Sequence, residues 1–244
     1  MKQATRDRLN AINREFYRRN ASEFSRTRAR PWPGMARVVA AVGSSEPSVL
    51  DLGCGNGRFV LALSERFGNG FEYVGVDFSS ELLALAVAAH ARPGARFEQR
   101  DFVTHAPEES LPTGRHDLVA LLGVLHHVPG EDTRRALLEA AASRVAASGM
   151  LAITLWRFDR SPRFAGRRLA HSQYVSLGLD PNELEPGDEL LRFGASSETL
   201  RYCHFVDDAE LARLLASLTV ELVSRFSSDG EGGAQNEYLL LRGR

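Results

Sequence analysis

The chain has 244 residues, 43% of them hydrophobic and 25% charged, values that exclude a disordered or fibrous protein and suit one large α/β domain. No apolar run approaches the ~18 residues that cross a bilayer, and the polar opening MKQATRDRLN lacks the apolar core of an export signal, so no membrane and a cytoplasmic location are expected. Net charge is −1, yet residues 1–37 hold ten basic residues against three acidic ones, a local +7 that leaves −8 for the remainder.

That asymmetry suits either a solvated basic helix or a surface that steers a polyanion. Residues 5–19 place Leu9, Ile12, Phe16 and Tyr17 at spacings of three and four, the pattern of an amphipathic helix with its arginines outward. The next stretch, FSRTRARPWPGM at 24–35, sets three arginines on alternate positions ahead of Pro31 and Pro33. Prolines remove donors and hold their neighbours extended, so a fixed surface arm is expected there. MARVVAAV then resumes a helix. SVLDLG, FEYVGVDF and HDLVALLGV read as buried strands, RFEQRDF as a further strand between the last two, with helices expected at 58–67, 80–91 and 132–147, and GMLAITLW supplies a fifth strand. From 157 to about 199 the pattern offers no strong strand, only a helix over 163–179 and a polar loop, an insertion whose size suits a lid or substrate wall. DDAELARLLASL is a well-signalled helix, and TVELVSRF and NEYLLLR are close enough to pair antiparallel at the sheet edge. Strand and helix alternate, so the expected architecture is α/β, a doubly wound, mostly parallel seven-stranded sheet with an antiparallel edge strand.

The most informative segment is VLDLGCGNGRF. A strand ends in Asp51, and Gly53, Gly55 and Gly57 alternate before a helix begins; such glycines permit positive φ and close approach of a ligand to the backbone. The dinucleotide fingerprint G-x-G-x-x-G fails, because Arg58 stands where its third glycine belongs, which leaves an NAD-dependent dehydrogenase a distant reading. The next strand ends in Asp77, twenty-four residues after Gly53, where an acid accepts from both hydroxyls of a ribose, and the third ends in Asp101 and Phe102, suited to an adenine edge and a flat apolar contact. A bare strand-to-helix turn remains the alternative at this point. D-x-G-x-G-x-G, the acid after strand two and RDF after strand three together resemble a class I S-adenosylmethionine-dependent methyltransferase over residues 48–156. The resemblance implies a Rossmann-like methyltransferase fold and S-adenosyl-L-methionine as cofactor. It gives Asp51 and Gly53 to the methionine end, Asp77 to the ribose, and Asp101 with Phe102 to the adenine. Cys54, Gly55, Gly57, Phe78 and Leu122 complete the expected cofactor-binding set, Cys54 as a small loop residue and not as a nucleophile.

A sulfonium donor is already activated, so the acceptor decides what further chemistry is needed. LLGVLHHVPGEDTRR follows strand four, where this fold places the acceptor floor. His126 and His127 are open to three readings: a base, a packing or carbonyl-bonding role, or a metal, for which no third ligand is evident. No metal is expected, and Cys54 and Cys203 form no CxxC pair or disulfide framework. F-S-x-T-R-x-x-P-W-P, LHHV followed by RR, RYCHFVDDAEL and QNEYLLL resemble the tRNA wobble-uridine carboxymethyl methyltransferase family, whose members esterify a carboxymethyl group on uridine 34 of tRNA. That likeness implies tRNA as partner, makes a small activator subunit a candidate second partner, and points to Arg28 as a carboxylate clamp with Trp32 shaping the pocket. Arg157 departs from the pattern and is a candidate carboxylate or phosphate contact or a surface arginine. Arg201, Tyr202 and His204 match an RYxH segment and either return over the site or pack at a helix start. The chain is expected as a single domain, 1–244: basic cap and arm 1–45, cofactor core 46–156, insertion 157–205, and C-terminal helix and strand pair 206–244. Two readings compete with tRNA: a small-molecule, carboxylic acid acceptor, and a non-catalytic fold that serves as a partner surface.

Overall fold

The computed structural model describes residues 1–193 and 199–243. Its elements, in chain order, are helices α1 (Gln3–Arg26) and α2 (Pro33–Ala40), strand β1 (Ser48–Leu52), α3 (Phe59–Phe67), β2 (Glu72–Asp77), α4 (Ser80–His90), β3 (Ala95–Gln99), α5 (Pro107–Ser110), β4 (His116–Leu121), α6 (Glu131–Ser143), β5 (Val145–Trp156), α7 (Pro162–Ala165), β6 (Asp188–Arg192), β7 (Leu200–His204), α8 (Asp208–Ala216), β8 (Val220–Ser228) and β9 (Asn236–Gly243). Seven strands form one sheet in the order β3-β2-β1-β4-β5-β9-β8, with β1 to β5 parallel and β9 antiparallel to both of its neighbours. All seven expected strands are present, and the last strand in sequence inserts beside β5 so that β8 becomes the edge. No helix among the described residues is long and apolar enough to cross a membrane.

Period-two alternation divides the core. Val49, Leu118, Ala120 and Ala152 face α2 and α3, while Leu50, Val119, Leu121 and Ile153 face α6 and α8. Both faces are therefore covered, which a parallel sheet requires. The order 3-2-1-4 reverses direction at β1, and the carboxyl ends of β1 and β4 open a crevice there, where α/β sheets bind ligands.

Four expectations about element bounds change. The first helix does not stop near residue 19: Phe16, Tyr17 and Ala21 continue the apolar stripe against Leu82 of α4, with Phe24 packed alongside, so α1 runs to Arg26 and only residues 27–32 are non-helical. The arm is consequently a short joint between two helices, with Pro33 at the first position of α2, where its missing N–H costs nothing. The helix expected at 132–147 ends at Ser143 because Val145 already pairs with His116 of β4. The insertion holds a two-stranded antiparallel sheet, β6 with β7, where no strand was expected, and the helix expected at 163–179 is only α7 followed by 3-10 turns at 171–173 and 175–177. Part of the insertion, 194–198, lies outside the described residues, as does Arg244. The small sheet packs Leu190 and Tyr202 on Leu9 of α1, so α1 and the insertion jointly roof the crevice.

Candidate active site

The glycine loop is built from the sheet outward. Gly53 and Cys54 donate their backbone N–H groups to the Val76 carbonyl at 2.8 and 3.0 Å, which lashes the loop to β2. Gly53 has φ +74°, and a Cβ there would meet Val124 Cγ2 at 2.4 Å, so both conformation and space demand glycine. Asp77 at the end of β2 accepts from Gly55 N–H and Ser79 N–H, both at 2.9 Å, and Asp51 accepts from the Tyr73 hydroxyl at 2.7 Å. Burial pushes Asp51 up to about 7, against the opposing Tyr73 hydrogen bond, and pushes Asp77 up to about 6. Two buried carboxylates beside a glycine turn form a ready acceptor pair for an ammonium group and a ribose diol.

These groups line one cavity of about 410 Å³, together with Asp101, Phe102, Phe78, Cys54 and Leu122 from the expected cofactor set. Gly57 does not line it; a Cβ there would press on His90, Ala86 and Phe97, so that glycine serves the packing of the loop against α4 and β3. The Asp101 carboxylate accepts from Val103 N–H, Thr104 N–H and the Thr104 hydroxyl, and pairs with Arg14 of α1. Burial pushes Cys54 well up, which leaves a protonated thiol and no nucleophile.

The same cavity continues to Arg28, Trp32, His126 and His127, so four of the five expected acceptor-side residues meet there. Trp32 lies over Gly123, where a Cβ would come within 3.0 Å of its ring, and Arg58 stacks on the indole at 3.8 Å. The turn is pinned by Asp229, a residue the sequence did not single out. Its buried carboxylate accepts from Gly34 N–H at 2.8 Å, Asn236 Nδ2 at 2.8 Å and Tyr238 OH at 2.6 Å. Asn56, inside the glycine loop, donates to the Ser25 hydroxyl and the Arg28 carbonyl, joining loop to joint. Arg28 is half-buried, with its guanidinium 3.7 Å from the Phe24 ring centroid and donating to Thr27 Oγ1.

The histidines separate in role. His127 Nδ1 lies 2.9 Å from the Tyr202 carbonyl, which only accepts, so Nδ1 carries the proton and Nε2 accepts from Tyr17 OH at 3.0 Å. Burial and the Arg201 charge drive His127 down to about 3, and burial with the neighbouring His127 drives His126 well below its ordinary value. Both rings are neutral. The structure does bring a third ligand-type atom, Cys203, to the pair, contrary to the expectation that none is near. Burial raises that thiol to about 12 and both His127 nitrogens are committed, so the trio is not set up as a metal site.

Arg157 is a correction. It is 3% exposed and outside the cavity wall, donating to the Val206 carbonyl at 2.7 Å and pairing with Glu237, so it braces β9 against the loop before α8. Arg201 takes the place by the cavity instead: β7 carries it onto the wall, 4.6 Å from the Trp156 ring centroid. Its neighbours in RYxH are structural. Tyr202 OH and His204 Nδ1 donate to Asp188, and His204 Nε2 donates to Glu210, which also receives Arg134.

Comparison with known proteins points to methyl transfer. Residues 49–149 match the methyltransferase domain family. A SAM-dependent methyltransferase of Methanosarcina mazei superposes with a TM-score of 0.63 at 18% identity, covering 88% of this chain and 98% of that one. Residues 49–149 therefore form a methyltransferase domain, and the chain shares the fold of S-adenosylmethionine-dependent methyltransferases. Within that class it resembles the mouse tRNA (carboxymethyluridine(34)-5-O)-methyltransferase ALKBH8, at 25% identity over 70% of this chain and 23% of the relative. It also resembles trans-aconitate 2-methyltransferase of Variovorax paradoxus, at 34% identity over 59% of this chain and 49% of the relative. The chain thus spans about a quarter and about half of the length of these two curated relatives.

Proposed function

We propose that the protein methylates a carboxylate-bearing acceptor, and that this acceptor is a carboxymethylated wobble uridine of tRNA. The observation that carries the reading is the charge at the acceptor end of the cavity, where Arg28 and Arg201 stand beside two neutral histidines. A general base works best with a pKa near the operating pH. His127 is far below that, with both nitrogens engaged, and His126 is shifted the same way. A carboxylate is ionised at neutral pH and needs a cation to hold it, not a base.

The residues present fit the cofactor: Asp51 for the methionine ammonium, Asp77 for the ribose, Asp101 and Phe102 for the adenine. When bound, it supplies a methyl group on a cationic sulfur, which becomes a neutral thioether as a carboxylate oxygen takes the methyl and no proton is released. The chain's own part is alignment and exclusion of water, through Trp32 closed over Gly123 and α1 closed over the loop. The basic segment favours a nucleic acid, since Arg26 at the end of α1 and Arg30 on the joint that carries Arg28 are both exposed.

A second reading, a small carboxylic acid acceptor, is favoured by the likeness to trans-aconitate 2-methyltransferase and by a cavity sized for a small molecule. Transfer of labelled methyl from S-adenosylmethionine to carboxymethyl-containing tRNA, with and without an activator protein, separates them when run beside trans-aconitate across a salt series. tRNA methylation that falls steeply with salt supports the first reading, and methylation of the small acid alone supports the second.

A further inference from the structure

Buried polar atoms are nearly always paired, so an unpaired one asks what completes it. Three such atoms converge on the acceptor end of the cavity: Arg201 Nε, Trp156 Nε1 and His126 Nδ1. Their residues are 5%, 8% and 8% exposed, and they touch one another. The His126 and Trp156 rings are 5.1 Å apart, and the Arg201 guanidinium lies over the indole.

The other buried arginines are an internal control. Arg134 pairs with Glu185 and Glu210 and donates to the Val128 carbonyl, Arg144 pairs with Glu108, and Arg157, whose Nε is also unpaired, still has its charge met by Glu237. The Arg201 guanidinium makes no hydrogen bond or ion pair with any described residue. Rings of Trp156, Phe16 and Phe193 surround it within 6.0 Å. Aromatic faces compensate a cation in part, but a buried charge without a counter-ion is costly. Two of the three orphans, the guanidinium N–H and the indole N–H, only donate, so the missing partner carries lone pairs and negative charge.

We infer that Arg201, Trp156 and His126 form a preformed oxyanion subsite that holds the reacting carboxylate of the acceptor. This rests on the carboxylate reading above and narrows it: the half-buried Arg28 serves the remainder of the acceptor, whereas Arg201 takes the group that is methylated. Charge matching also gives the subsite a release step. The methyl ester is neutral, so the product no longer compensates the guanidinium and binds more weakly than the substrate.

The test is calorimetric titration of the full chain, loaded with S-adenosylhomocysteine, with 5-carboxymethyluridine and its methyl ester, and in a second arm with trans-aconitate and its trimethyl ester. In at least one arm the acid is expected to bind about tenfold or more tightly than the ester, the size of a charge-assisted hydrogen bond. Arg201→Gln should bring that ratio to within about threefold while S-adenosylhomocysteine affinity holds, and Trp156→Phe should lower it by a smaller factor, as expected for a neutral donor. A ratio that survives Arg201→Gln overturns the inference, as does wild-type protein that prefers neither acid. Should Arg201→Gln fail to bind S-adenosylhomocysteine, the indole N–H resonance of Trp156 in wild-type protein decides: it should shift with the acid and not the ester, and an unmoved signal under a bound acid refutes the subsite. An acid preference confined to the trans-aconitate arm refutes the wobble-uridine reading and leaves the subsite standing.

Discussion

Tyr73→Phe isolates how the sheet tunes the cofactor acid. The Tyr73 hydroxyl is wholly buried and donates to Asp51 at 2.7 Å, and this bond holds the Asp51 carboxyl near 7 against a larger upward push from burial. A hydrogen bond to a charged acceptor contributes about 1.5–3 kcal/mol, equivalent to about 1–2 pKa units. Removing it should carry Asp51 to roughly 8–9, so that its ionised fraction at pH 7 falls from about a half to about 1–10%. If Asp51 takes the methionine ammonium, S-adenosylhomocysteine affinity should drop roughly 5- to 50-fold at pH 7 and move back toward wild type as pH rises to 9. Calorimetric titration between pH 6 and 9 measures this, with 5′-methylthioadenosine, which lacks the amino acid, expected to show no difference between variants. Parallel pH profiles for the two proteins would mean that the Tyr73 hydroxyl does not tune Asp51 for the ligand.

Asp229→Ala should remove about 3 kcal/mol or more, because it orphans the buried Gly34, Asn236 and Tyr238 donors. In a chain of this size that is a fall in Tm of roughly 6–12 °C, and methyl transfer should fall further than cofactor affinity as Trp32 loses its anchor. Arg28→Ala should lower transfer by about tenfold or more, the worth of a charged contact, with S-adenosylhomocysteine affinity unchanged; equal loss of both would make the joint a cofactor lid. Stability should also have two pH limbs. His127 is held down to about 3, so its contribution is complete above 6.5 and is lost as pH falls toward 3. Burial opposes charge on His204, but its hydrogen bonds to Asp188 and Glu210 outweigh that and raise it, so its contribution is complete below 6.5 and is lost as pH rises through the raised value. His127→Gln should flatten the acid limb of Tm against pH and His204→Gln the neutral-to-alkaline one; unchanged slopes would contradict the assignments.

The sheet was legible because β1, β2, β4 and β5 each carry a short apolar run that burial on both faces dictates, whereas β3, ARFEQ, is only partly buried and was marked by the acid that follows it. That three acids would meet at one end of the sheet was legible because Asp51, Asp77 and Asp101 stand at or just past strand ends, and all three line the cavity. The insertion was not. Leu190, Leu191, Tyr202 and Cys203 are buried by tertiary packing on α1 and under Trp156, and no local period announces it. Arg157 and Arg201 show the limit most clearly. Both are buried arginines near strand ends, and what distinguishes them is Glu237, which gives Arg157 a counter-ion and is remote in sequence from it. Asp229 carried a faint signal, an acid in a glycine-rich turn with φ +70°, but its three donors come from α2 and β9 and become visible only once the sheet is assembled.

A cavity that positions a carboxylate beside the methyl donor must yield a methyl ester. The most direct measurement is single-turnover transfer of labelled methyl from S-adenosylmethionine to carboxymethyluridine-containing tRNA and to trans-aconitate, followed by mild alkaline hydrolysis of the product. Label that alkali releases as methanol, the mark of a methyl ester, is expected. Label that survives alkali on either acceptor, as an N-, C- or ether-linked methyl does, would contradict the carboxylate reading.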